Sequence, residues 1–257
     1  MAVTNEVQLK VDHIYMAFGG VQALMDISLE VKKGEIFSVI GPNGAGKTVL
    51  LNCINGLYHP QKGEIYFEGK EISKLKPHQR AEIGISRTFQ KIELFKGTSV
   101  LDNIRLGRHI HLKTGLLSGS IYIGKTAREE IEHRDFIERE IIDLLEIEHI
   151  RDKVVGMLPY GLQKRVELAR ALARKPELIL LDEVAAGSTE MEIPKILTTL
   201  KEIRKMGITV IIVEHVMKVM VHAVDRIVVI DKGIKIAEGA PISVMNDSKV
   251  IEAYFGA

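Results

Sequence analysis

The stretch Gly41-Pro42-Asn43-Gly44-Ala45-Gly46-Lys47-Thr48 follows the pattern G-x-x-x-x-G-K-[ST]. Residues 35–40 before it are apolar enough for a buried strand, and residues 49–55 after it are apolar enough for a packed helix. A glycine-rich loop between a strand and a helix can point backbone N–H groups at phosphate oxygens, where the helix N-terminus adds partial positive charge. In this pattern Lys47 reaches the β- and γ-phosphates and the Thr48 hydroxyl ligates Mg²⁺. The sequence therefore predicts a site for a nucleoside triphosphate.

The overall composition is that of a globular protein and excludes several classes of function. Of the 257 residues, 46% are hydrophobic and 27% are charged, so the chain can bury a sizeable core and global disorder is excluded. The net charge of +1 supplies no basic field, and we expect no nucleic-acid partner. Cys53 is the single cysteine, which excludes an intramolecular disulfide. We find no secretory signal and no apolar run long enough to cross a bilayer, so we expect any membrane role to depend on a partner.

Strand patterns on both sides of the loop predict an α/β fold. Apolar and polar residues alternate at 7–11 and 27–31, as in a small antiparallel sheet. Apolar runs separated by helical segments indicate a mainly parallel sheet covered on both faces, and these runs lie at residues 178–181, 209–213 and 226–230. In the middle of the chain the strand pattern fades, and residues 126–146 and 162–174 have helical periodicity.

Two carboxylates stand at the end of one apolar run. Asp182 follows four apolar residues, so the sheet should place it at the carboxyl edge, where open α/β folds bind ligands. There it can hold Mg²⁺, and Glu183 can orient or deprotonate an attacking water. His215 follows another buried run directly after Glu214, and a histidine in such a position, taken alone, is more often structural than functional. Phe18, beside Gly19-Gly20, can stack on a base or lie in the core, and the residues alone favour the core.

The order of these elements resembles the ATP-binding subunit of an ABC transporter over nearly the whole chain. The matching positions are the phosphate loop, Gln90, the segment 158–163, the acidic strand and His215. The resemblance implies an ABC-type P-loop NTPase fold, with a nucleotide-binding core at 1–90 and 160–257, an N-terminal antiparallel β subdomain and an inserted helical subdomain at 91–159. It also implies that Gln90 contacts Mg²⁺ and the attacking water, that His215 contacts the γ-phosphate, and that Phe18 stacks on adenine, which reverses the core assignment.

The same resemblance implies a head-to-tail dimer in which ATP lies between the phosphate loop of one subunit and the signature segment, residues 158–163, of the other. The residues expected to face that nucleotide are Pro159, Tyr160, Gly161 and Gln163. The family usually has Leu-Ser-Gly-Gly-Gln here, so Pro159 and Leu162 lack the usual polar contacts. The segment after Glu183 also departs from the family pattern, at Val184, Ser188 and Thr189. ATP binding is therefore a firmer prediction than the turnover rate.

Several further stretches resemble the branched-chain (hydrophobic) amino-acid importer subfamily, among them residues 87–90, 98–104 and 250–256. This resemblance implies an ATPase that powers amino-acid import at the cytoplasmic face of the cell membrane. The implied partners are a second ATPase subunit, homodimeric or heterodimeric, two integral membrane permease subunits and an external substrate-binding protein. Two alternatives stay open: an ATPase for another ABC system, such as lipid or polysaccharide export, and a non-transport ABC ATPase.

Overall fold

The computed structural model of the chain describes residues 3–89, 92–108, 134–185 and 188–255. It divides into two compact units: Met1–Arg87 with Glu177–Ala257, and Thr88–Pro176. Gln90 and residues 126–133 of the predicted long helix lie outside the described residues.

The first unit contains all the strands that the described residues form. In chain order they are β1 Val7–Phe18, β2 Val21–Lys32, β3 Ile36–Ile40, β4 Lys62–Phe67, β5 Lys70–Glu71, β6 Ile85–Arg87, β7 Leu178–Asp182, β8 Thr209–Val213, β9 Arg226–Asp231 and β10 Ile234–Gly239. The described helices of both units, in chain order, are α1 Lys47–Asn55, α2 Pro77–Glu82, α3 Val100–Arg108, α4 Tyr160–Leu172, α5 Ile193–Lys205, α6 Met217–Ala223, α7 Pro241–Met245 and α8 Ser248–Phe255. None of them is both long enough and apolar enough to cross a membrane.

A six-stranded sheet of order β10-β9-β3-β8-β7-β6 forms the centre of the first unit. All its pairs are parallel except the edge pair of β9 and β10, so the predicted mainly parallel sheet is confirmed. Every residue of β3, β7 and β8 is buried. Each of these strands is apolar at four of its five positions because both faces of the sheet are covered.

A second, four-stranded antiparallel sheet of order β2-β1-β4-β5 belongs to the same unit, as predicted. Its strands β1 and β2 are longer than the alternating pattern indicated, because the hairpin continues to the pair Phe18 and Val21 around Gly19-Gly20. Side chains from both sheets and from α1 share one hydrophobic core, which includes Leu9, Ile27, Phe37, Leu50 and Ile211. This core fixes α1, and with it the loop that precedes α1.

The second unit is helical in its described part. Helix α4 begins at Tyr160, two residues before the predicted start, with Pro159 at its N-cap. The described part of the long helix predicted to end at residue 146 is not a regular α-helix. Residues 134–136 are α-helical, and Ile137–Ile142 is a π-helix. The chain then turns, and Glu146 adopts a left-handed φ of 52°. Ile137, Ile141 and Leu145, three of the apolar residues that give the sequence its helical periodicity, are nevertheless buried.

Candidate nucleotide-binding site

The loop Gly41–Thr48 has a backbone shape that only glycine permits at its critical points. Gly46 directly precedes α1 and has φ 107°, and a Cβ atom there would lie 2.5 Å from the carbonyl oxygen of Ala23. Gly41 has φ 149°, and a Cβ atom there would lie 1.9 Å from the oxygen of Ile230. Both positions combine a left-handed conformation with contact against neighbouring backbone, so they exclude any other residue. Asn43, Gly44 and Thr48 are exposed around the bend that this shape creates.

Lys47 is buried, and its ammonium group lies inside the loop. Its Nζ donates to the carbonyl oxygens of Gly41 at 2.7 Å and Pro42 at 2.9 Å. Burial lowers the pKa of Lys47, and the nearby carboxylates of Glu183 and Asp182 partly offset that shift. The lysine therefore lies in the electrostatic field of both acids that the sequence analysis selected.

The order of the central sheet explains why these groups meet. Strands β3, β8 and β7 are parallel neighbours, with Val39 opposite Val213 and Val213 opposite Asp182. The phosphate loop follows β3, His215 is the second residue after β8, and Asp182 is the last residue of β7. Residues at the carboxyl ends of adjacent parallel strands share one sheet edge, where α/β folds bind ligands. The structure thus brings Lys47, Asp182, Glu183 and His215 to a common edge.

Asp182 is held by an arginine that the sequence analysis did not select. The Asp182 carboxylate is buried, and its Oδ2 lies 3.1 Å from Nη2 of Arg87, which is also buried. The Nη1 atom of the same guanidinium donates to Oδ1 of Asn52 on α1 at 2.5 Å. Arg87 thereby links the end of β7 to the helix that carries the phosphate loop. Its position at the carboxyl end of β6, which pairs with β7, is the signal that could have identified it.

Glu183 adopts a left-handed backbone conformation with φ 53°, which is unusual for a non-glycine residue and costs about 1 kcal/mol. Its N–H donates to the oxygen of Val213 on the neighbouring strand at 2.9 Å. Its Oε1 lies 3.8 Å from Nε2 of His215, which is longer than a direct hydrogen bond. Both side chains are partly exposed, so the carboxylate is accessible to water and lies beside an imidazole.

Phe18 lies at the end of β1, and 42% of its surface is exposed. Its ring contacts the ring of Tyr58 edge to face, with centroids 5.1 Å apart and an interplanar angle of 68°. This exposure argues against the core role that the residues alone favoured. A partly exposed aromatic ring held by an aromatic neighbour is suited to stack on a planar base.

The signature segment belongs to the second unit and has its own local structure. Tyr160 and Gly161 are exposed in the first turn of α4, and a Cβ atom at Gly161 would meet nothing within 4 Å. The side-chain amide of Gln163 donates to the carbonyl oxygen of Leu158 at 2.7 Å, so this amide forms a hydrogen bond within the signature segment. Pro159 also accepts from the N–H of Leu162 at 3.0 Å, which closes the turn without a polar side chain.

Thr189, in the first unit, also makes a local contact. Its hydroxyl donates to the carboxylate of Glu192 at 3.0 Å, directly before α5. In the head-to-tail dimer that the resemblance implies, a hydroxyl at this position could also form a hydrogen bond to the other subunit. Because the Thr189 hydroxyl donates its one proton to Glu192, its oxygen could only accept a hydrogen bond from the other subunit.

Comparisons with known proteins agree with this arrangement. The family model described as ABC transporter matches residues 24–186, and a model described as branched-chain amino acid ATP-binding cassette transporter matches residues 235–257. The high-affinity branched-chain amino acid transport ATP-binding protein BraF of Pseudomonas aeruginosa is 36% identical over 251 residues, covering 96% of this chain and 97% of that protein. LivG of Salmonella typhimurium, which has the same description, is 37% identical over 249 residues with the same coverage.

A solved structure shows the same fold. It is described as the ADP conformation of an ATP-binding cassette of an ABC transporter, and it shares 34% identity with this chain. The TM-score is 0.83, and the match covers 99% of this chain and 100% of that one.

The loop, the acidic strand and the sheet order define a P-loop nucleoside triphosphatase. The chain belongs to the ABC transporter family and is one of its ATP-binding subunits. Proteins of this family bind a nucleotide and hydrolyse ATP to power transport, so the chain is an ATPase subunit.

Proposed function

We propose that ATP is hydrolysed at the sheet edge formed by Lys47, Asp182, Glu183 and His215. The observation that carries this proposal is the convergence of these four side chains behind the phosphate loop. The Lys47 ammonium donates to oxygens of the β- and γ-phosphates, and backbone N–H groups of residues 43–48 bind the remaining phosphate oxygens. Phe18 stacks on the adenine ring.

In this mechanism Glu183 is the general base. Its carboxylate orients the attacking water and accepts a proton from it as the water oxygen bonds to the γ-phosphorus, while the bond from that phosphorus to the β,γ-bridging oxygen breaks and ADP leaves. The imidazole of His215, 3.8 Å from that carboxylate, contacts the γ-phosphate and holds it in line with the water. Gln90 contacts the same water by the family pattern, although its position lies outside the described residues.

The residues around the phosphates also fit Mg²⁺. Mg²⁺ prefers oxygen ligands and keeps several waters, and the chain offers the exposed Thr48 hydroxyl and the Asp182 carboxylate. Gln90 is the third proposed Mg²⁺ ligand. When bound, Mg²⁺ neutralises charge on the β- and γ-phosphates. Asp182 is buried and bonded to Arg87, so its carboxylate is already oriented for this role.

The site is completed by a second ATPase subunit. The exposed first turn of α4, with Pro159, Tyr160, Gly161 and Gln163, faces the nucleotide of the opposite subunit and offers the helix N-terminus to the γ-phosphate. ATP then holds two subunits together, and its hydrolysis releases them. The missing polar side chains at Pro159 and Leu162 weaken this closure by about 1 kcal/mol for each lost contact.

We infer that the cargo is a branched-chain or other hydrophobic amino acid. The extent of the likeness to BraF and LivG, together with the match of residues 235–257, supports this cargo over lipid or polysaccharide export. The chain then binds two integral membrane permease subunits at the cytoplasmic face of the membrane. An external binding protein delivers the amino acid to those permeases.

Reconstitution tests this proposal. The chain is co-purified with its permeases, placed in proteoliposomes, and assayed for ATP hydrolysis with the cognate binding protein and single amino acids. Leucine, isoleucine or valine should stimulate hydrolysis and accumulate inside the vesicles, whereas a charged amino acid such as lysine should do neither. Stimulation by a lipid or a glycan alone would contradict the assigned cargo.

A further inference from the structure

Glu214 is a buried carboxylate that joins two loops of the site. Only 2% of its surface is exposed, although it lies directly before His215. Its Oε1 accepts the N–H of Ala185 at 2.6 Å. Its Oε2 accepts the N–H of His215 at 3.0 Å and that of Val216 at 3.3 Å. One oxygen thus binds the chain just after Glu183, and the other binds the turn that carries His215.

Through these contacts the Glu214 carboxylate holds the loop after Glu183 and the turn of His215 together. Burial raises the pKa of Glu214, and the three backbone N–H groups oppose that shift. A buried carboxylate is costly unless hydrogen bonds satisfy it, and here they come from backbone donors on two separate loops. The bond from Glu183 N–H to Val213 O joins the same loops at a second point. Glu183 and His215 are therefore fixed relative to each other on both sides.

We propose that Glu214 is a positioning residue for ATP hydrolysis, which sets the separation between the carboxylate of Glu183 and the imidazole of His215. The inference rests on the proposed function, because it assumes that those two residues act on the water and the γ-phosphate. Glu214 touches neither the nucleotide nor the water in this account. It acts through the backbone of Ala185 and His215.

The substitution Glu214→Gln tests the requirement for two acceptor oxygens. A glutamine has nearly the same shape but only one acceptor oxygen, and its NH₂ group would face N–H donors in either orientation. It can hold the loop after Glu183 or the loop of His215, but not both. We expect kcat to fall about tenfold, corresponding to one charge-assisted hydrogen bond, with KM for ATP changed less than about twofold. Glu202→Gln on the exposed face of α5 is the matched control and should change neither value.

A double-mutant cycle separates positioning from general structural damage. All variants are measured in the full chain assembled with its membrane partners. In the His215→Ala background the separation of the two groups no longer matters, so Glu214→Gln should lower kcat by less than about threefold. An equal fall in both backgrounds would overturn the inference. Glu214→Asp, which keeps the charge but is one methylene shorter, is measured in the same way if Glu214→Gln does not fold.

The single variants show whether the catalytic roles of Glu183 and His215 fail or only the positioning role of Glu214 fails. If His215→Ala and Glu183→Gln leave hydrolysis intact, the proposed catalytic roles fail whatever Glu214 does. If both variants strongly reduce hydrolysis while Glu214→Gln has the activity of the parent chain, only the positioning role fails.

Discussion

Replacing Arg80 tests how the helix behind the phosphate loop is held in place. The Arg80 side chain is fully buried, and its guanidinium donates to five backbone carbonyl groups, those of Cys53, Ile54, Ile72, Ser73 and Leu75. Two of these carbonyls lie in the last turn of α1, where a helix leaves acceptors without partners. A positive charge is also favourable at that end of the helix dipole. Arg80→Met removes all of these donors while keeping much of the apolar volume.

The size of the effect follows from two opposing contributions. Hydrogen bonds from a charged donor contribute about 1.5 kcal/mol each, so the five together contribute about 7–8 kcal/mol. Burial opposes the charge and lowers the pKa of Arg80 from 12.5 to about 10. That change corresponds to a penalty of about 3 kcal/mol. We therefore expect Arg80→Met to reduce the free energy of unfolding by about 4 kcal/mol, a large part of the stability of a typical domain.

Urea denaturation followed by circular dichroism measures this change. Arg80→Lys keeps the charge but supplies fewer donors, so its free energy of unfolding should lie between those of the parent chain and Arg80→Met. The control is Arg105→Met, at an exposed position of α3, which should change the stability by less than about 0.5 kcal/mol. A loss of less than about 1 kcal/mol in Arg80→Met would mean that these five hydrogen bonds do not stabilise the fold as described.

Three further predictions concern the nucleotide site itself. Lys47→Ala should weaken ATP binding about 10- to 100-fold in a calorimetric titration, because it removes a charged donor to the phosphates; Lys205→Ala, at an exposed position, should not. Phe18→Ala should weaken ATP binding about tenfold and leave tripolyphosphate binding unchanged, since only the base stacks; equal losses for both ligands would exclude stacking. Asp182→Asn should raise the Mg²⁺ concentration needed for half-maximal hydrolysis, and an unchanged Mg²⁺ titration would remove Asp182 from the metal site.

The sequence predicted well those features that depend on local pattern and on sheet topology. The phosphate loop is defined by consecutive residues, and the buried strands β7 and β8 are defined by continuous apolar runs. Because parallel neighbours end at one edge, these runs also put the residues that follow β7 and β8 at the same edge of the sheet. At that edge Oε1 of Glu183, which follows β7, lies 3.8 Å from Nε2 of His215, which follows β8.

The features that the sequence did not reveal depend on contacts between distant residues. In the sequence, Arg80 and Arg87 look like ordinary charged surface residues. In the folded chain Arg80 is surrounded by backbone carbonyl oxygens, and Arg87 contacts Asp182 and Asn52. Glu214 was noted only as the neighbour of His215, because its partner at Ala185 is 29 residues away. The left-handed backbone of Glu183 has no signal in the sequence, since glycine is the residue expected at such a φ.

The π-helix at Ile137–Ile142 is a further difference. The apolar positions of this region fit a regular helix, and the sequence contains no proline or glycine between residues 134 and 146. A π-turn places residues five apart on the same face, and Ile137 and Ile142 are both buried. The burial of this pair depends on tertiary packing, which helical periodicity alone does not specify.

Glu183 is the proposed base for ATP hydrolysis, and its replacement should leave nucleotide binding intact. The most direct test measures ATP binding and ATP turnover side by side in Glu183→Gln. We predict ATP binding within about threefold of the parent chain, turnover reduced at least about 100-fold, and accumulation of an ATP-bound dimer. Turnover equal to that of the parent chain would contradict the assignment of Glu183 as the base.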